Sequence, residues 1–125
     1  MHENDIARII VDCAYKIHTT LGPGLLESVY QAILFHELAK RGLTVSIQPG
    51  IPVIWDGINL GVGFRADLVV GAKVVVEIKS VEAIAPVHPK QVRTYLRLMD
   101  LKLGLLINFN VDLIKNGITR VVNNL

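Results

Sequence analysis

The chain has 125 residues, 51% of them hydrophobic and 19% charged, with a formal net charge of +2. This length fits one domain, residues 1–125, around one core, and the apolar content excludes a disordered arm or a low-complexity linker. A single cysteine, Cys13, excludes an internal disulfide and a cysteine-rich zinc site, while so small a positive charge permits a nucleic-acid partner without arguing for one.

In chain order, residues 4 to 20 predict a helix, because Ile6, Ile9, Ile10, Cys13, Ala14, Ile17 and Leu21 recur at the spacing of one helical face. Asn4 or Asp5 is the expected cap, and Cys13 falls in the core. Gly22-Pro23-Gly24 ends this helix, and a second is predicted over about 25 to 41, stopped by Gly42. Glu27 opens it. Leu34 and Leu38 fall within about 20° of Glu27, so it points from the apolar stripe. A glutamate in a first turn also complements the helix dipole, so Glu27 has an ordinary reading beside the functional one. Glu37 lies near the same stripe and carries the same warning.

Val45, Ile47, Val53 and Trp55 suggest two short strands around Gln48-Pro49-Gly50, and Asp56-Gly57 is a hairpin signal. Residues 63 to 79 then read as a second hairpin. Phe64, Ala66, Leu68, Val70, Val74, Val76 and Ile78 make an apolar face, while Arg65, Asp67, Glu77 and Lys79 point the other way. A three-residue turn at Gly71-Ala72-Lys73 sets Val70 opposite Val74 and Asp67 opposite Glu77. Carboxylates placed face to face repel. A divalent cation bound by both is the simplest compensation, with Lys79 beside it. The alternative is a solvated charged face. Val69 and Val75 on the same face, and strands that are nearly continuous hydrophobic runs, favour a site between covered faces.

Pro86 and Pro89 bracket His88, and a third helix is predicted from about 89 to 100. Gln91 and Tyr95 are one turn apart and face one direction, whereas Lys90, Arg93 and Arg97 form a basic stripe roughly opposite. A solvated face is the simpler reading of that stripe, with contact to a DNA backbone the other. His18 and His88 are acid–base or metal candidates by residue type, with structural roles the commoner outcome. Lys102 to Phe109 predicts a buried strand, Lys115-Asn116-Gly117 a turn, and Ile118 to Val122 a last strand. No Gly-rich phosphate loop, triad order or paired-histidine zinc spacing is present. No run is apolar for long enough to span a bilayer, and Met-His-Glu-Asn-Asp does not start a secretory signal, so a cytoplasmic location is expected.

Asp67 followed by Glu77-Ile78-Lys79 resembles the PD-(D/E)XK nuclease superfamily. Gly24-Leu25-Leu26-Glu27-Ser28-Val29-Tyr30 resembles the signature of its small GxxExxY group. Arg65-Ala66-Asp67-Leu68-Val69-Val70, the Gln91-to-Tyr95 spacing and Gly104-Leu105-Leu106-Ile107-Asn108-Phe109 are similar to that group too. Ala66 stands where the superfamily pattern has proline. The resemblance implies an α/β fold with a restriction-endonuclease-like core, a central mixed sheet flanked by helices, and a site at the sheet edge. It implies Mg²⁺ or Mn²⁺ held by Glu27, Asp67, Glu77 and the backbone carbonyl of Ile78, with Gln91 and Tyr95 supporting the site.

The expected chemistry is phosphodiester hydrolysis on a nucleic acid, DNA before RNA, with Lys79 orienting water or stabilising the pentacovalent phosphate. The rival reading is a nuclease-fold module that binds nucleic acid or protein without turnover. A small-molecule enzyme using the same carboxylates and lysine is the third. A C2 homodimer would enlarge the binding surface, and a protein partner is a further source of specificity.

Overall fold

Runs of valine, isoleucine and leucine fix the centre of the molecule. The computed structural model describes residues 1–125. In chain order the elements are α1 (Glu3–Leu21), α2 (Glu27–Lys40), β1 (Val45–Ile47), β2 (Gly50–Trp55), β3 (Ile58–Arg65), β4 (Leu68–Val70), β5 (Val74–Lys79), α3 (Val87–Met99), β6 (Leu103–Asn108) and β7 (Ile118–Val122), with a 3₁₀ turn at Ile114–Asn116 before β7. β5 and β6 are buried almost throughout, as strands covered on both faces must be. They pair in parallel, from Val74 beside Leu103 to Lys79 beside Asn108, and α3 makes the crossover that a parallel pair requires. The other pairings are antiparallel, giving a mixed five-stranded sheet in the order β1-β4-β5-β6-β7.

Each face of this sheet has its own cover. Ile6, Ile10, Cys13 and Ile17 of α1, with Tyr30, Leu34 and Leu38 of α2, pack on the face carrying Leu68, Val70, Val74, Val76 and Ile78. Val92 and Leu96 of α3 pack on the other face, against Val69, Val75, Leu106 and Val121. The expected mixed sheet flanked by helices is therefore present, and Cys13 is fully buried as predicted. No helix is long and apolar enough to cross a membrane.

Three expectations are corrected. The cap of α1 is His2, whose Nδ1 accepts the Asn4 N–H at 2.9 Å, rather than Asn4 or Asp5. α3 begins two residues earlier than predicted, at Val87. The hairpin over 63 to 79 is not continuous. The turn register holds, with Val70 opposite Val74 and Leu68 opposite Val76. Phe64 and Ala66, however, pack in the α3 cluster and not beside Leu68. The cause is that β3 pairs only with β2, in a separate two-stranded sheet. The chain leaves that sheet at Ala66-Asp67, and the strand alternation resets before β4 begins.

Gly104 marks the closest approach of α3 to the sheet: a Cβ there would lie 2.6 Å from Val92 Cγ1. Gly104→Ala is expected to cost about 1–3 kcal/mol by overpacking this contact. Urea unfolding checks it, and an unchanged midpoint would mean that α3 can shift freely.

Candidate active site

The break at Ala66-Asp67 places a carboxylate where a strand residue would otherwise pair. Asp67 immediately precedes β4, and its backbone N–H donates to Glu77 Oε1 at 3.1 Å. Its own Oδ2 accepts the Ile78 N–H at 2.7 Å. One oxygen of each carboxylate is thus held by a backbone amide. Asp67 is half-buried and Glu77 is buried. Burial in the first place, and the neighbouring Asp67 charge in the second, push the Glu77 carboxyl up to about 8, while the Asp67 N–H and the Lys79 charge oppose the rise. With its carboxyl pushed up to about 8, Glu77 holds a proton at neutral pH.

The peptide groups of β5 complete the donor set. The Lys79 carbonyl accepts the Phe109 N–H at 2.9 Å, so Lys79 turns its peptide groups toward the β6 side. Ile78 turns its own the opposite way, toward Asp67, and its carbonyl points to the side where Asp67 sits. Oxygen atoms from Asp67, Glu77 and Ile78 are the donors a hard cation takes. These residues lie at the ends of β4 and β5, the second and third strands of the sheet.

Lys79 is half-buried and shares the face of Glu77. It lowers the Glu77 pKa through its charge without entering an ion pair; the four ion pairs of the molecule involve only Asp5, Asp12 and Glu37 as acids. Tyr95 reaches the same place from α3. Burial raises its hydroxyl pKa, the Glu77 and Asp67 charges add to the rise, and a hydrogen bond with Gln91 works against it. Gln91 itself is exposed. The Tyr95 ring stacks on Phe64 with centroids 3.9 Å apart and planes 6° from parallel. Phe64 thus anchors the root of the β2–β3 sheet to α3 and fixes the tyrosine.

Glu27 stands apart. No three His, Cys, Asp or Glu side chains converge closely enough to hold an ion. The reason is architectural: α2 packs on the sheet face opposite the one bearing Glu77. The loop before Glu27 is nonetheless tightly built. Gly24 has φ of +101°, which a side chain would strain. Tyr30 Oη donates to the Gly22 carbonyl at 2.7 Å and accepts the Leu25 N–H at 3.2 Å. Its ring stacks on Phe109 at 4.4 Å. Ser80 Oγ donates to the Leu25 carbonyl at 2.7 Å, tying this loop to the residue after Lys79. A cleft of about 570 Å³ opens between them, lined by Glu27, Ser28, Ser80 and Asn110 among others.

The remaining candidates are structural or peripheral. His18 is buried with Nε2 2.7 Å from the Val111 carbonyl, and His88 Nδ1 accepts the Ala85 N–H at 3.2 Å at the start of α3. Arg65 ends β3 and donates to the Gln48 carbonyl at 3.3 Å, leaving the carboxylate face. Glu37 pairs with Lys16 at 3.0 Å. Lys90, Arg93 and Arg97 are exposed on the outer side of α3. Sequence reasoning missed Phe64 as the support of Tyr95, and Asn108. The latter is buried, its amide accepting the Val81 and Asn110 N–H groups and donating to the Val81 carbonyl at 2.9 Å. Its polar break in Leu-Leu-Ile-Asn-Phe was the available signal.

A family model for the PD-(D/E)XK nuclease superfamily matches residues 4–121. No curated protein and no solved structure matches the chain.

The Glu77 shift fixes the sign of a pH effect. Its folded pKa lies above the unfolded value, so the folded state holds the extra proton between them and stability falls as pH rises through that window. The metal-free protein is expected to lose on the order of 5–10 °C in Tm between about pH 5 and pH 8. Glu77→Gln should flatten this slope. A parallel slope in the variant would show that another group is responsible.

Proposed function

Because the chain belongs to the PD-(D/E)XK nuclease superfamily, we propose that it is a metal-dependent nuclease hydrolysing phosphodiester bonds in DNA. The observation that carries this reading is the Asp67–Glu77 pair: two carboxylates brought together by backbone amides, with Glu77 kept protonated by burial and by the Asp67 charge. Such a pair favours a divalent cation over two protons or a buried repulsion. Asp67, Glu77 and the Ile78 carbonyl would hold Mg²⁺ or Mn²⁺, an ion that typically takes one or two carboxylates and keeps its other places for water and phosphate. Glu27 would act from the loop that Ser80 ties to the end of β5, as a further carboxylate reaching the site through water.

A bound ion supplies a water of lowered pKa and neutralises charge that develops on the phosphate. The chain's own residues do the rest. Lys79, with no carboxylate partner within ion-pair distance, orients the attacking water or stabilises the pentacovalent phosphate. Tyr95, held by Phe64 and assisted by Gln91, positions Lys79 or a phosphate oxygen. Within the superfamily, Gly24, Glu27 and Tyr30 support a reading of the chain as a member of the GxxExxY group, and the Tyr30 clamp on the loop before Glu27 gives that spacing a physical basis.

A second reading, a nuclease-fold binding module without turnover, is favoured by the distance of Glu27 from the other carboxylates. Purified protein incubated with linear, circular and single-stranded DNA, in Mg²⁺, Mn²⁺ or EDTA, separates the two. Metal-dependent cleavage is expected, reduced at least about 10²–10³-fold in Asp67→Ala and in Lys79→Met. Full activity in Asp67→Ala would refute the assignment of the site. DNA binding in EDTA with no cleavage under any metal would favour the binding module.

A further inference from the structure

The cations of this chain are unevenly compensated. All four ion pairs lie on α1, α2 and Arg41, the residue that caps α2. Lys90, Arg93, Arg97 and Arg120 are exposed, and none has a carboxylate within ion-pair distance. Arg120 donates to Asn4 Oδ1 at 2.6 Å, a neutral partner that leaves its charge free. Three of these four cations meet at one place. Lys90, Arg93 and Arg120 line a cleft of about 130 Å³ between α3 and β7, together with Thr119. Arg120 also lines the neighbouring cleft, beside Arg8 of α1. No acid lines either cleft. A solvated helix stripe needs no cation from a second element, whereas a site for an anion does.

The cleft lies level with the two carboxylates. Glu77 is beside Leu106, and Leu106 is beside Thr119, so the three form one row across β5, β6 and β7. Side chains of such a row share a face, here the one that α3 covers. Two strand spacings put Thr119 about 10 Å from Glu77. α3 carries the chain from the end of β5 to the start of β6, so its first turns lie beside the end of β5 that bears Glu77 and Lys79. Tyr95 and Arg93 fall about 80° to either side of the buried Val92–Leu96 stripe. The same two turns thus turn Tyr95 toward the carboxylates and Arg93 toward β7, with Lys90 on the solvent side between them.

We propose that Lys90, Arg93 and Arg120, with the Thr119 hydroxyl, bind backbone phosphates of the nucleic-acid strand that crosses the amino end of α3. Guanidinium forks and an ammonium group suit phosphate oxygens, and they hold a strand in register without reading its bases. At 3.4 Å per charge along one strand, about 10 Å sets this contact about three nucleotides from the phosphate at Asp67 and Glu77. That position of the scissile phosphate rests on the nuclease reading; the binding contact is measured without it.

The test is binding of a fluorescein-labelled DNA duplex of about 20 base pairs to the full chain, in EDTA, between about 50 and 200 mM salt. The triple variant Lys90→Gln, Arg93→Gln, Arg120→Gln should bind at least about 10-fold more weakly at the lower salt, with a slope of log affinity against log salt shallower by about 3. Its far-UV circular dichroism should be unchanged, since all three side chains are exposed. Arg93→Lys keeps the charge and should keep the wild-type slope. The control Lys73→Gln, Lys102→Gln, exposed at the opposite end of β5 and β6, should stay within about 2-fold of wild type. A triple variant with the wild-type slope, or an equal loss in the control, would overturn the proposal. So would a wild type that binds no duplex at the lower salt, or a polyglutamate peptide of equal charge that competes as well as DNA, which would make an acidic protein segment the occupant. Cleavage separates this contact from the nuclease reading. Binding that depends on the three cations, with no cleavage under Mg²⁺ or Mn²⁺, keeps the contact and refutes the nuclease; cleavage with unaltered binding in the triple variant does the reverse.

Discussion

The contact between Asp67 and Glu77 is the constraint around which the rest of the site is arranged. Burying two acids side by side is unfavourable unless one stays protonated or a cation joins them. The fold enforces this juxtaposition from the backbone. The Asp67 N–H holds one Glu77 oxygen, and the Ile78 N–H holds one Asp67 oxygen. Neither side chain can swing away without leaving a buried amide unpaired, which costs about 1–3 kcal/mol. A proton on Glu77 relieves the crowding, and the divalent cation proposed for this pair would supply the same neutralisation with more charge.

The surrounding structure keeps that end of the sheet in place by polar clamps. Asn108 fixes the chain just after β5 through Val81. Ser80 and Tyr30 fix the loop before Glu27, the first through the Leu25 carbonyl and the second through Gly22 and Leu25. Two stacked aromatic pairs brace the two sides of the sheet: Tyr30 on Phe109 beneath α2, and Phe64 on Tyr95 beneath α3. Every buried side-chain polar atom has a hydrogen-bond partner, so none of these clamps leaves a group unsatisfied.

Much of this was legible in the chain because it depends on local periodicity. The period-2 alternation of 74–79 and the three-residue turn sufficed to place Asp67 against Glu77, and helical spacing sufficed to align Gln91 with Tyr95. What escaped depends on non-local choices. Periodicity carried the strand through Ala66, but β3 had already committed to β2, and the change of sheet reversed the faces of Phe64 and Ala66. Helical spacing set Glu27 on the stripe of Leu34 and Leu38, and it is half-buried there, yet nothing local reveals which face of the sheet a helix will cover. Asn108 looked like the end of an apolar strand because its partners, Val81 and Asn110, lie in loops that have no pattern of their own.

The proposed cation site is tested most directly by calorimetric titration of Mn²⁺ into the protein near pH 6.5, in buffers of different ionisation enthalpy. One ion should bind and displace about one proton, the one Glu77 carries, and both the binding and the proton release should vanish in Asp67→Asn. Binding without proton release, or undiminished binding in Asp67→Asn, would place the ion elsewhere and leave the two carboxylates as a structural pair.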